Sequence, residues 1–556
     1  MTENRFDAIV VGSGATGGFA AKELTERGLK VLLLEAGPAL TNADYARLEG
    51  EAHAKMVSPW DRIRAGIAGQ PIQARAAWFS KEASFLHVND LKNPYTWARG
   101  YFYLWIRARV VGGRFMNWGR VTPRMSDYDF KAASKDGIGE DWPICYNDLI
   151  PYYEAVEDFL GIVGEKNDLP NVPDGHYVAK AYLTPWEQEF KAKVESNWPE
   201  RKIIPWRYMR AGAIKGHVPT TILAAKASGN LELRANAVVK QIDVDPDTGK
   251  ATGVTYIDAN TKSLNKVSAD LVFLCASTIE SIRLLLNSAS SRHPNGIGNS
   301  SGMLGRYFMD QSPCLVFGSD PKAKGYMPDV DHGYGDSTNP NPGGIYIPRY
   351  QNLDRITHPQ FARGFNIQGA VGRNYSGEGG PVVFGFMGQG EMLPYHTNTV
   401  TINHRRKDAW GIPIPHLTIV PGENERKMTR FEMDTIKEMV HACGYDVDFA
   451  ASYIGLDDPG KVLPHDSWFS RFMFKMSYKK SLGMGAAIHE CGGARMGNEP
   501  GKSVLNPHNQ IWDASNIFVT DSSCFVTNGT CGPTLTTMAL TVRAAEYAVR
   551  ELGKTL

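Results

Sequence analysis

Residues 7–27 hold the feature that most limits what this chain can fold into. The apolar run Asp7-Ala8-Ile9-Val10-Val11 passes directly into Gly12-Ser13-Gly14-Ala15-Thr16-Gly17 and then into a helical stretch, roughly Gly17 to Arg27. That order is a buried strand, a glycine turn and a helix. Gly12 permits the tight turn, Gly14 lets backbone approach a pyrophosphate, and Gly17 lets helix and strand pack closely. Ser13 and Thr16 stand in the same turn, where the helix directs its N-terminal amides at phosphate. Gly28 is placed to end the helix. A second apolar strand, Lys30-Val31-Leu32-Leu33-Leu34, ends at Glu35. An acid about 20 residues after the glycine turn is where a ribose hydroxyl is gripped.

A second piece lies at the far end of the chain. Asn516-Ile517-Phe518-Val519-Thr520-Asp521 reads as another buried strand, and Pro533 opens a long helix. Proline suits a first helical turn, where its missing amide proton has no intrahelical partner to lose. Leu535, Met538, Val542, Ala545, Val549 and Leu552 recur at spacings of three and four, forming one buried stripe, and Gly553 can cap the end. The start of such a helix favours negative charge, which a reduced flavin ring develops. Glu35-Ala36-Gly37 resembles the end of the second strand in FAD-binding folds. The two pieces together predict a flavoprotein whose FAD domain is assembled from distant parts of the chain.

At 556 residues the chain can hold two interleaved domains with large cores. Its 56 glycines are about a tenth of the chain, above the ~7% average, which fits many tight turns. A net charge of +1 gives no argument for nucleic acid. No apolar run is long enough to span a bilayer. Met1 to Arg5 leads straight into the first strand, leaving no room for a secretion signal. A cytoplasmic location is therefore expected, with export only on a carrier partner. The seven cysteines are scattered, with no C-x-x-C, so neither a disulfide framework nor a zinc site is expected.

Between the ends, Tyr152 to Leu160 reads as an amphipathic helix. Leu231–Arg234, Ala237–Val244, Gly253–Ile257 and Leu271–Leu274 read as strands, with a turn at Asp247–Lys250. Residues 333–344 read as a surface loop, and about 318–421 as antiparallel sheet with irregular loops. His404-Arg405-Arg406-Lys407 reads as a solvated turn.

Several ordered blocks carry a family resemblance. They are Arg109-Val110-Val111-Gly112-Gly113-Arg114-Phe115-Met116-Asn117-Trp118-Gly119, then Cys275-Ala276-Ser277-Thr278-Ile279-Glu280-Ser281, then Gly302-Met303-Leu304-Gly305-Arg306. The last is His489-Glu490-Cys491-Gly492-Gly493-Ala494-Arg495-Met496-Gly497. With the two ends, they make the chain resemble the glucose–methanol–choline (GMC) family of FAD oxidoreductases over nearly its whole length. Arg124–Phe130, Asp141–Tyr146 and Val519–Leu540 resemble the bacterial sugar dehydrogenase and pyranose oxidase branch, with glucoside 3-dehydrogenases the nearest group.

The resemblance implies an α/β fold, α+β overall, in which a Rossmann-like FAD-binding domain is interleaved with an antiparallel-sheet substrate domain. The FAD domain would comprise residues 1–50, 100–135, 220–317 and 498–556, and the substrate domain 51–99, 136–219 and 318–497. Gly12, Gly14, Gly17 and Glu35 would hold the ADP part, with Ser13 and Thr16 also in the cofactor set. Gly112, Gly113, Asn117 and Trp118 would pass near the isoalloxazine, with Gly119 and Ala276 also in the cofactor set. Val238 would meet the adenine edge, and Asp521 and Thr534 would lie beside the ribityl chain and ring. In pyranose oxidases a histidine of the Gly-Gly block bonds covalently to flavin. Asn117 stands there, so non-covalent FAD is expected. No adjacent cysteine pair is present for an iron–sulfur cluster, and no metal is expected.

Oxidising an alcohol requires a proton acceptor beside the carbon that gives up hydride, and histidine titrates in the right range. The family's base matches His489. A zinc reading of His489-Glu490 fails because position 493 is Gly493. The family places a second polar residue, Asn or His, just before the proline of the last helix, and here Gly532 stands there. Asn528 is a nearby substitute. Glu391, His396 and Asn398 are candidates for the sugar pocket, although a structural or surface role is the favoured reading of each. Trp78, Tyr101 and Trp105 are candidates for stacking on a sugar, with core packing the equal alternative. The expected reaction takes a secondary hydroxyl of a sugar or glycoside to a ketone, with oxygen, a quinone or a cytochrome as electron acceptor. The alternatives are a non-sugar alcohol, a lyase reaction, or a weakly active flavoprotein that needs a small accessory subunit.

Overall fold

A computed structural model describes residues 5–44, 59–76, 79, 81, 83–210, 214–215, 217–324, 343–373, 380–457, 468, 472 and 481–551. In chain order, β1 is Arg5–Val11, α1 Ala15–Glu26, β2 Val31–Leu34, α2 Ile150–Leu160 and α3 Thr220–Ala227. Four strands follow, β3 Leu231–Arg234, β4 Ala237–Val244, β5 Ala251–Asp258 and β6 Leu264–Leu274, then α4 Thr278–Asn287. The next strands are β7 Ser312–Lys324, β8 Phe365–Val371, β9 Pro381–Gly390, β10 Thr399–Lys407 and β11 Pro413–Thr418. The chain then forms α5 Glu423–Ala442, β12 Asp446–Ser452, β13 Ala514–Val519 and α6 Pro533–Glu551.

The first sheet has a parallel core in the order β3-β2-β1-β6-β13. Its strands are the apolar runs of the sequence, and Ala8, Ile9, Val10, Leu32, Leu33 and Phe273 are fully buried. Unbroken apolar strands are what a sheet covered on both faces requires. Antiparallel β4 and β5 extend it from the N-terminal half of β6, while β13 pairs with the C-terminal half. Residues 514–519 thus complete a sheet begun at residue 5. Helix α1 lies between α3 and α6, and α6 also packs on α2. Gly18 of α1 faces Thr221 of α3 so closely that a methyl group there would meet the threonine hydroxyl at 2.3 Å.

The second sheet is antiparallel, with β12-β7-β9-β8 at its centre. Helix α5 covers one face, and Met428, Met433, Ile436, Met439 and Val440 pack with Val316, Ile367, Phe384 and Phe386. Glu391, just beyond β9, is completely buried between Arg363 at 2.6 Å and Arg349 at 3.2 Å.

The structure revises one reading. His404–Lys407 is not a turn but the exposed end of β10, bulged against β11 between Asn403 and Lys407. Four successive polar residues look like a loop in sequence, but an edge strand with both faces wet carries the same pattern. Of the loop expected at 333–344, residues 333–342 lie outside the described residues, as do Trp78, Leu552 and Gly553. Helix α6 otherwise buries the expected stripe, and α1 ends at Glu26, capped by Arg27, with Gly28 left-handed at φ +82°. No described helix is long and apolar enough to cross a membrane.

Candidate active site

A cavity of ≈ 940 Å³ opens at the C-terminal ends of β1, β2, β6 and β13. Ligands of parallel α/β sheets sit at that edge. From there it runs to the face of the antiparallel sheet, where Trp206, Tyr346, Met387 and Gln389 form its far wall. Of the expected residues, Gly12, Ser13, Gly14, Thr16, Glu35, Gly113, Asn117, Trp118, Gly119, Val238, Ala276, His489, Asp521 and Thr534 line it. Gly17 and Gly112 stand behind the wall and shape it.

Gly17 has no room for a side chain, since a β-carbon would lie 1.8 Å from the Gly12 carbonyl oxygen. Gly12 itself needs φ +97°, and a β-carbon there would collide with the Cys275 carbonyl at 2.4 Å. Gly14 differs from both. Its φ is −68°, and the space where a β-carbon would stand is empty. Gly14 also caps α1 with no side chain on its free amides and no acid in the first turn. The Trp118 indole N–H, in the same cavity, is buried without a partner, its ring stacked on Phe115. A glycine cradle, uncapped helix amides and a spare donor fit a bound dinucleotide.

Ser13 ties three segments together. Its hydroxyl donates to Glu35 at 2.6 Å and accepts from the Gly112 amide at 2.9 Å. Glu35 also accepts from the Ser13 and Gly37 amides. Burial raises the Glu35 carboxyl above its usual range, against those hydrogen bonds and the charge of Arg109. Burial likewise raises Asp521, which accepts from the Ser523 amide and hydroxyl and from Ser281.

At the other end, Met309 and Cys491 exchange two backbone hydrogen bonds, which sets residues 309–311 against 489–491. Asp310 accepts from the His489 amide at 3.1 Å, the Gln311 amide at 2.8 Å and the Tyr103 hydroxyl at 2.7 Å. Burial, with the charge of Glu490, raises Asp310 to about 7. Arg114 pairs with Glu490 at 2.8 Å and donates to Ser277. The His489 Nδ1 lies 2.6 Å from the Gln311 Oε1. Burial and then the charge of Arg114 lower His489 to about 4, so the imidazole is neutral at ordinary pH. Its Nε2 faces Gly532, where a β-carbon would sit 3.4 Å away.

Asn528 does not reach the cavity. Its amide donates to Cys491 Sγ at 2.9 Å and to the His489 carbonyl, behind the ring. Glu391 belongs to the buried ion cluster, and Asn398 is buried, accepting from the Val420 amide. His396 is exposed against Tyr307, and Tyr101 is exposed. Among the described candidates of this set, only Trp105 lines the cavity. Asp310, Gln311 and Gln389 were not singled out from sequence. They owe their position to strand register, for which single residues carry no signal.

Residues 6–311 match the N-terminal and residues 394–541 the C-terminal family profile described as GMC oxidoreductase. The chain is 28% identical to 2-methyl-1,2-propanediol dehydrogenase of Mycolicibacterium austroafricanum, over 98% of this chain and 96% of that one. It is 24% identical to the fructose dehydrogenase large subunit of Gluconobacter japonicus, over 98% of each. It is 22% identical to C-glycoside 3-oxidase of Microbacterium trichothecenolyticum, over 98% and 97%. A formate oxidase variant of Aspergillus oryzae RIB40 shares the fold, with a TM-score of 0.64 at 14% identity over 99% of both chains.

Proposed function

The chain belongs to the GMC oxidoreductase family, FAD-dependent enzymes that act on CH–OH groups, and from there we propose that it oxidises a secondary hydroxyl of a sugar or glycoside to a ketone. His489 takes the hydroxyl proton on Nε2 as the adjacent carbon gives up hydride. FAD, when bound, supplies the hydride acceptor. The observation that carries this reading is the place of His489, half-buried on the cavity wall with Nε2 turned towards Gly532, where burial and the Arg114 charge favour the neutral imidazole. A base must be unprotonated to act, and this one is held so.

The rest of the chain's contribution is positioning. Asp310 fixes the His489 backbone, Arg114 and Glu490 neutralise one another beside it, and Trp206 and Tyr346 bring aromatic rings to the far wall, where a pyranose ring can stack. FAD binds without a covalent link, in keeping with Asn117 in the Gly-Gly block. The relatives named for fructose and for a C-glycoside support a sugar substrate.

A second reading, a small non-sugar diol, is favoured by the 28% identity to 2-methyl-1,2-propanediol dehydrogenase and by the space that Gly532 leaves beside the base. The name "large subunit" of the fructose relative supports a small accessory partner. The visible flavin spectrum under anaerobic conditions tests the assignment. Methyl glucoside is expected to bleach it and yield a keto-glycoside. Bleaching by 2-methyl-1,2-propanediol alone would overturn the sugar reading in favour of the diol.

A further inference from the structure

We propose that Gln311 is the positioning residue that sets the tautomer of His489, with the loop before α6 holding it to that task. This role deepens the reading of His489 as base and rests on it. A neutral imidazole carries one proton on either of two nitrogens, and only the bare nitrogen can accept another. The hydrogen bond made by the far nitrogen decides which one is bare.

Here the choice follows from the amide of Gln311. Its Nε2 donates to the Gly529 carbonyl at 3.0 Å and to the Cys531 carbonyl at 3.2 Å. Turning the amide over would face its oxygen to two carbonyl oxygens, with no proton between them. The orientation is therefore single, and Oε1 is left for His489 Nδ1 at 2.6 Å. An amide oxygen only accepts, so Nδ1 carries the proton and Nε2 keeps its lone pair. When Nε2 takes a hydroxyl proton, the Nδ1–H bond to Gln311 persists through the change. Gln311 is completely buried, so water does not compete for either bond.

Asp310 and Gln311 thus divide the work. Asp310 holds the backbone amide of His489 and Gln311 holds the ring. The carbonyls that orient Gln311 belong to the segment leading into Gly532, which itself faces the same imidazole. The loop that opens α6 therefore reaches His489 both directly and through Gln311.

The test is nitrogen-15 NMR on histidine-labelled holoenzyme, with the His489 signals identified by their loss in His489→Gln. The wild type is expected to carry the proton on Nδ1. In Gln311→Met, Nδ1 has no acceptor and the proton moves to Nε2. Flavin reduction by methyl glucoside then slows on the order of 10²-fold. The substrate dissociation constant stays within about twofold, because Gln311 bonds to the base and not to substrate. A wild-type holoenzyme protonated on Nε2 overturns the assignment whether or not the variant folds. So does a Gln311→Met variant with unchanged tautomer and rate, as a merely structural role would give. If His489→Gln reduces flavin at the wild-type rate, the base reading falls, and with it the catalytic positioning role of Gln311, even where the measured proton sits on Nδ1.

Discussion

At the scale of single residues, the glycines of the first turn separate fold from cofactor. Gly14→Ala adds a methyl into open space at a φ that alanine accepts, so the apo fold tolerates it. The same methyl stands where pyrophosphate must approach, and FAD affinity should drop by about tenfold or more (~1.4 kcal/mol), as equilibrium dialysis would show. Gly17→Ala drives a β-carbon against the Gly12 carbonyl and should destabilise the fold by at least ~1–3 kcal/mol, the usual cost of overpacking. Denaturant unfolding of the two apo variants distinguishes them. At Gly532 a β-carbon meets only His489, at van der Waals distance, so the fold should accept Gly532→Asn. Turnover should rise if the family's second polar group is simply missing. Unchanged or lower turnover would mean that this site uses another arrangement. His489 gives a pH prediction with a definite sign. It is neutral above about 4, so the rate of flavin reduction should fall as pH drops through that value. Between about 4 and 6.5 the unfolded chain binds the proton and the folded one does not. This group alone therefore makes stability increase with pH across that window.

At the scale of elements, Asp310 shows how a short strand pairing builds a site. Its carboxyl accepts two backbone N–H groups and faces a tyrosine hydroxyl, and burial favours its neutral form. Asparagine reproduces that pattern with its oxygen towards the amides and its nitrogen towards Tyr103. Asp310→Asn should keep flavin reduction within about tenfold, whereas Asp310→Leu, which leaves buried N–H groups unpaired at ~1–3 kcal/mol each, should lose both stability and rate. Thermal melts and stopped-flow reduction check the pair. Legibility in the sequence follows the same division. Strand β1, the glycine turn, α1, β2 and the buried stripe of α6 could be read because a local pattern dictates them. The bond from Ser13 to Gly112 and the seat of Gln311 could not, because they depend on register between segments far apart in sequence. Glu391 could be given a structural role from sequence in preference to a pocket role, but not its partners, since the two arginines that hold it come from loops distant from it in sequence.

At the scale of the whole molecule, the cavity is the meeting place of two sheets with separate cores. The parallel sheet contributes its strand ends and helix N-termini, and the antiparallel sheet contributes a wall of aromatic and amide side chains. FAD that contacts both parts binds the folded state alone, so saturating FAD should raise the melting temperature, and stripping it should lower it. The resemblance read from sequence blocks points to His489 as the base, and its burial beside Arg114 gives a physical reason for a neutral imidazole there. It also explains how the ring can be kept in place without a polar neighbour at 532. The proposed chemistry stands on His489 as the base, and anaerobic stopped-flow reduction by methyl glucoside, wild type against His489→Gln, tests that most directly. The prediction is rapid bleaching in the wild type and a rate lower by on the order of 10²–10⁴ in the variant, with FAD still bound. A variant that bleaches as fast as the wild type would contradict it.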